Sequence, residues 1–218
     1  MEIVEQLSKV RKQIPENATL VAVSKTQPDE AILSAHGAGQ RHFGENRVQD
    51  LKGKAERLPS DILWHMIGHI QTNKIKDFIG FVHMVHGLDR LKVLHALQKE
   101  AAKAGRKVHA LLQVHIAKED SKFGFSAEEI KALCQEDLAQ AYPNLHICGL
   151  MGMATFTQDT QQIRDEFTFL AQIYQELQPI QPAFNTLSMG MSGDFPIALE
   201  CGSNLVRVGT AIFGTRTT

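Results

Sequence analysis

The residue best placed to do chemistry in this chain is Lys25, which closes the run LVAVSK and is followed at once by TQPDE. The apolar run from Leu20 to Val23 reads as a buried strand, and TQPDE reads as the opening of a helix. An amine at such a junction is usually a solvated surface group. Two segments near the other end of the chain give it a partner. LSMGMSGD and NLVRVGTAIFGTR read as two turns that hold a phosphate, with Arg207 among them. A nucleophilic lysine facing a phosphate cradle is the chemistry of a phosphorylated aldehyde held as a Schiff base.

These groups must be brought together by the elements between them. Short apolar runs fall at 20–24, 41–43, 62–67, 82–86, 108–116, 146–151, 186–189 and 204–208. Amphipathic stretches separate them, with Leu88, Leu91, Leu94 and Ala101 at helical spacing, and likewise Ile163, Phe167, Leu170 and Leu177. Ser126 with Glu129 marks a capping box. Eight strands alternating with helices predict an α/β fold, a (β/α)8 TIM barrel with an extra N-terminal helix that caps one end. A doubly wound open sheet is the alternative, and the second and seventh strands are the weakest. After Phe213 only a few residues follow, so the expectation is one domain over 1–218.

In such a barrel chemistry sits at the carboxyl ends of the strands. Lys25, Asn46, His65, Ser188, Gly190 and Arg207 all fall in or just after strands. In SMGMSGDFPIAL, small residues precede a helix whose first N–H groups favour an anion. In RVGTAIFG, Gly209 lets backbone come close and Thr210 adds a hydroxyl. His65 and His69 are four apart and His83 and His86 three apart, but Gly68 and a strand pattern argue against helical geometry for the first pair, and no carboxylate lies nearby in sequence for either, so no metal site is expected. The methionines read as barrel filling, with Met151, Met153, Met189 and Met191 also able to pack on a flat ring. In the charged loop KEDSKFGF, Lys118 and Lys122 are candidates to meet an anionic ligand or partner.

Composition excludes several classes. The net charge of −1 offers no field for nucleic acid, and no apolar stretch approaches a membrane span. The N-terminal MEIVEQLSKVRKQ is amphipathic and lacks the pattern of a secretory signal. Cys134, Cys148 and Cys201 form no metal spacing and no disulfide framework, which suits a reducing cytosol.

The segments LVAVSKTQP, FGENRVQD, WHMIGHIQTNK, QVHIAKEDSKFG, GLMGMAT, LSMGMSGD and VRVGTAIFGTR run from residue 20 to 216. In sequence and order they resemble the pyridoxal 5′-phosphate (PLP) homeostasis family, whose barrel is that of the alanine racemase N-terminal domain (fold type III of the PLP proteins). The resemblance implies that Lys25 carries PLP and that Arg207 faces the pyridine nitrogen. It implies that Ser188, Gly209 and Thr210 hold the phosphate and that Asn46 and His65 lie around the ring. Met66, His115 and Ala117 depart from the family pattern in the pocket wall. Two functions follow. One is a carrier that buffers PLP and delivers it to PLP-dependent apo-enzymes without turnover and without catalytic residues. The other is an amino-acid racemase; a remote third is an aldolase using Lys25 on a sugar phosphate. Racemisation needs a second base, supplied in alanine racemases by a tyrosine of a second domain, and here only Tyr142 and Tyr174 exist. The carrier reading is therefore favoured, as a monomer.

Overall fold

In a computed structural model, residues 2–119 and 123–214 are described. Lys122 and Arg216 lie outside them. Eight parallel strands close into a barrel in the order of the chain. They are β1 (Thr19–Val23), β2 (His42–Glu45), β3 (Leu63–Met66), β4 (Met84–Leu88), β5 (Val108–Gln113), β6 (Leu145–Met151), β7 (Thr186–Ser188) and β8 (Leu205–Val208). The two weakest expectations, the second and seventh strands, are among the short ones and still take their places in the ladder. β1 pairs with β8, as Thr19↔Leu205 through Ala22↔Val208, which closes the ring.

The helices are α1 (Glu2–Arg11), α2 (Asp29–Gly37), α3 (Val48–Arg57), α4 (Leu91–Lys103), α5 (Ala127–Leu133), α6 (Leu138–Ala141), α7 (Thr160–Leu177), α8 (Phe195–Glu200) and α9 (Thr210–Phe213). A 3-10 helix, Thr72–Asp77, stands between β3 and β4. The local signals act as expected. Ser126 and Glu129 form a reciprocal capping box on α5. Asp159 caps α7, whose buried Ile163, Phe167, Leu170, Ile173 and Leu177 repeat at helical spacing. α1 packs against α2 and α9, on the flank where the last helix is one turn long. Among the described residues, no helix is long and apolar enough to cross a membrane.

Most apolar residues lie between the sheet and the helices, where Leu20, Ala22, Phe43, Trp64 and Met66 face outward into one large core. Met66 thus packs under a helix, and its departure from the family pattern does not reach the barrel interior. Inside the barrel the apolar layer is small: Val21, Met84, Leu111, Cys148, Met151 and Leu205. Many of the other inward positions are polar, among them His65, His86, Gln113, Ser188 and Arg207, which is unusual for a barrel normally filled by branched aliphatics.

Cys134, at the end of α5, is fully buried, and burial pushes its thiol from 9.0 up to about 12. Between those values the unfolded chain has lost a proton that the fold keeps, so stability falls as pH rises. The loss at about pH 10.5 is about 2 kcal/mol, at about 1.4 kcal/mol per pH unit. Urea unfolding at about pH 8 and about pH 10.5 measures it. Cys134→Ala should flatten the difference; an equal fall in wild type and variant would assign it elsewhere.

Candidate functional site

Because every ladder is parallel, all eight strands present their carboxyl ends on one rim. Lys25 lies two residues beyond β1 and is half-buried. The next residue, Thr26, has φ 65°, left-handed backbone in which a β-branched residue is strained by about 1–2 kcal/mol. Its hydroxyl bonds the Lys25 carbonyl oxygen at 2.6 Å. Thr26→Gly should therefore raise the urea midpoint, with a net gain of up to about 1 kcal/mol after glycine's extra unfolded-state entropy. A lowered midpoint would show that the hydroxyl bond outweighs the strain.

The residue before Lys25 is held from outside the barrel. Ser24 donates its hydroxyl to Glu45 Oε1 at 2.6 Å. Lys54, from α3, donates to the same Oε1 at 2.8 Å and to the Ser24 carbonyl oxygen at 2.8 Å. Glu45 is fully buried, and Lys54 nearly so. Burial raises the Glu45 carboxyl above its ordinary value, opposed by hydrogen bonds from Lys54 and Ser24.

The seam between β1 and β8 sets Lys25 beside the turn at Gly209 and Thr210. A Cβ on Gly209 would stand 3.2 Å from the Val23 carbonyl oxygen and 3.3 Å from Val23 Cβ, so only glycine gives this close approach freely. The turns after β7 and β8 are tied together. Ser192 Oγ accepts the Gly209 N–H at 3.0 Å and the Ala211 N–H at 3.4 Å. Two backbone donors thus converge on one oxygen position, with the exposed Thr210 between them. That donor set fits a phosphate oxygen in place of the hydroxyl, beside a primary amine. Ser192 comes from the same SMGMSGD segment as Ser188, the serine to which the family resemblance points.

Arg207 is 4% exposed, beneath the rim. It donates to the Ser188 carbonyl oxygen at 3.1 Å, to Ser188 Oγ, and to the Gly152 carbonyl oxygen at 3.0 Å. Burial pulls the guanidinium down to about 10, partly offset by Asp194, so it remains cationic at neutral pH. Ser188 is fully buried and spends its hydroxyl on Arg207, with His86 Nδ1 at 3.4 Å.

Of the residues singled out by sequence, the structure brings Lys25, Gly209 and Thr210 to one seam of the rim, with Arg207 below. Asn46 is on the rim beyond β2 and exposed. Gly68 packs on its backbone, where a Cβ would meet the Asn46 carbonyl oxygen at 2.1 Å. Lys118 is exposed after β5, its N–H bonded to Thr155 Oγ1 at 3.0 Å. Ser188 and His65 are placed elsewhere, inside the barrel.

His65 belongs to a file of imidazoles that runs down the interior. His65 Nδ1 is 2.9 Å from His86 Nε2, and His65 Nε2 is 2.9 Å from His42 Nδ1. The file ends in a cavity of about 330 Å³ at the amino ends of the strands, lined by His42, His65, His83, His109 and His146 among others. Burial holds His65 and His86 well below the ordinary value of 6.5, and neighbouring positive groups add to it. The period-2 alternation of inward residues could have revealed this file, because His42, His65, His86, His109 and His146 all fall on inward positions.

Residues 2–217 match the family model described as alanine racemase, N-terminal domain. The chain is 42% identical over 207 residues to the pyridoxal phosphate homeostasis protein of Vibrio alginolyticus, covering 93% of this chain and 88% of that one. It is 37% identical to the pyridoxal phosphate homeostasis protein of Aquifex aeolicus, covering 99% of each. Among solved structures, PipY of Synechococcus elongatus PCC7942 is 35% identical and matches with TM-scores of 0.92 without PLP and 0.87 with PLP bound. In both, 97% of this chain and 100% of that chain are covered. Alanine racemase from Bartonella henselae shares the fold at TM-score 0.74 and 15% identity, with this chain covering 61% of it.

Proposed function

Because the chain belongs to the pyridoxal phosphate homeostasis protein family, built on the alanine racemase N-terminal domain, we propose that it binds PLP through Lys25 and holds it for delivery. The observation that carries this reading is the seam between β1 and β8. It sets a half-buried primary amine beside two turns whose N–H groups converge on a single oxygen position. When bound, PLP supplies an aldehyde that exchanges between primary amines.

The chain's own residues then divide the work. Lys25 provides the amine. Gly209 and Ala211 offer backbone N–H groups to the phosphate, and Ser192 and Thr210 offer hydroxyls. Arg207 keeps a fixed positive charge under the rim, which opposes protonation of a pyridine nitrogen placed near it. An unprotonated ring withdraws electrons less strongly, so carbanion chemistry is restrained.

The racemase reading needs a base on the face opposite Lys25. Tyr142 lies ahead of β6, its hydroxyl 3.4 Å from His95 Nε2. Tyr174 stacks on Phe184, just ahead of β7, with ring centroids 6.2 Å apart. Tyr142 thus reaches α4 and Tyr174 stands on α7, both among the helices outside the barrel wall and not at the β1–β8 seam that carries Lys25. Relatives that share nearly the whole chain are named for homeostasis and not for turnover. The recipients, on this reading, are PLP-dependent apo-enzymes met transiently by a monomer.

The deciding experiment incubates the PLP-loaded protein with an apo-transaminase in one arm and with L-alanine alone in the other. Recovery of transaminase activity without D-alanine is the expected result. Sustained D-alanine formation that Lys25→Ala removes would overturn the carrier reading in favour of the racemase.

A further inference from the structure

The polar interior ends in a cluster of histidines at the face opposite Lys25. One ring nitrogen from each of His42, His65 and His83 lies within 4.8 Å of the other two. The three come from β2, from β3 and from the residue before β4. They are a different set from the pairs that sequence spacing suggests. Barrel closure, and not helical spacing, brings them together. We propose that His42, His65 and His83 form a binding site for one divalent transition-metal ion, of the zinc class, at the amino ends of the barrel strands.

The geometry supports a site with one fixed and two adjustable ligands. Zinc binds imidazole nitrogen at about 2.0–2.1 Å in a tetrahedron, which needs neighbouring nitrogens about 3.3 Å apart. His65 is fully buried and held by His86, whereas His42 and His83 are half-buried and border the cavity of about 330 Å³. Small rotations of these two rings close the remaining distance. With the ion on His42 Nδ1 and His65 Nε2, it would replace the hydrogen bond that joins these two nitrogens at 2.9 Å.

The surroundings of His65 are those of a metal ligand. Metal-bound histidines donate their second ring N–H to an acceptor that fixes tautomer and orientation. His65 Nδ1 faces His86 Nε2 at 2.9 Å, and His86 Nδ1 faces Ser188 Oγ at 3.4 Å. With the ion on Nε2 of His65, the proton is placed on Nδ1 and the file takes one polarity up to Ser188. A neutral three-imidazole set selects zinc, nickel or copper over magnesium or calcium, which require oxygen donors. With three protein ligands, the fourth position of the tetrahedron is left for water or an anion. The cavity opens this position to solvent.

The test uses tag-free, full-length protein stripped with chelator and titrated with cobalt(II), then zinc(II). The expected result is one equivalent of cobalt giving a visible d–d band, which zinc removes by displacement. His42→Ala and His83→Ala should each abolish the band, and His83→Ala should do so while keeping the metal-free melting temperature. His69→Ala, which removes an exposed histidine paired with the buried Asp89 outside the cluster, should leave it unchanged. If His42→Ala does not fold, His83→Ala decides, since His83 lies outside the strands. The proposal is overturned if wild type shows no saturable cobalt uptake. It is equally overturned if the band survives in His83→Ala or is lost in His69→Ala.

Discussion

Lys25→Ala yields a folded barrel that no longer retains PLP after borohydride treatment. Lys25 sits beyond the end of β1 and is half-buried, so its removal should change stability by no more than about 0.5 kcal/mol. The phosphate turns are untouched, because Ser192, Gly209 and Ala211 bond one another without it. Residual, non-covalent binding is therefore expected, weakened by about 100-fold, or about 2.7 kcal/mol. Lys25→Arg is the sharper control, since it keeps the charge and removes the nucleophilic amine. Equilibrium dialysis gives the affinity, and mass measurement after reduction gives the covalent fraction. Trapping at the wild-type level in both variants would assign the attachment to another amine.

Lys54→Met destabilises the whole barrel, by about 3–5 kcal/mol, because it strands a buried carboxylate. Glu45 Oε1 accepts from both Lys54 and Ser24, and Glu45 Oε2 has no hydrogen-bond partner among the described residues. Removing the ammonium leaves the carboxylate only the Ser24 hydroxyl in a position closed to water. Replacing both charges, as Glu45→Leu with Lys54→Met, should recover most of the loss, since a packed apolar pair has no charge to desolvate. Denaturant unfolding of the single and double variants measures this. A single-variant loss below about 1 kcal/mol would mean that water reaches Glu45. The same variant also frees the Ser24 carbonyl, so PLP retention should weaken although Lys25 is intact.

How far these features could be read in the sequence depends on their range. The strands were legible because each is a short apolar run bounded by turn residues, and eight of them leave few ways to close a sheet. Even RHF and TLSM, short and weakly patterned, sit where β2 and β7 form, since a parallel ladder supports strands too brief to stand alone. Lys25, Gly209 and Thr210 were legible as parts of local turns. Ser188 and His65 were less legible, because a strand residue near the carboxyl end can face the rim or the interior, and one position decides which. The Glu45–Lys54 pair joins a strand to the helix that follows it, and nothing in FGENRVQD marks its burial. The histidine group was hidden because its members are neighbours around a ring, separated by about twenty residues in the chain.

Arg207 ties together the ends of β6, β7 and β8 through Gly152 and Ser188, and β8 in turn ladders to β1. This has a consequence during synthesis on the ribosome. Lys25 emerges among the first residues, but the turn that faces it and the arginine below it emerge after seven strands have been made. Until then the amine has no cradle beside it, and a chain arrested short of β8 would meet PLP only as any free lysine does. On the proposed reading, capture of PLP at Lys25 is thereby reserved for finished molecules, and a protein that carries it has passed its own inspection.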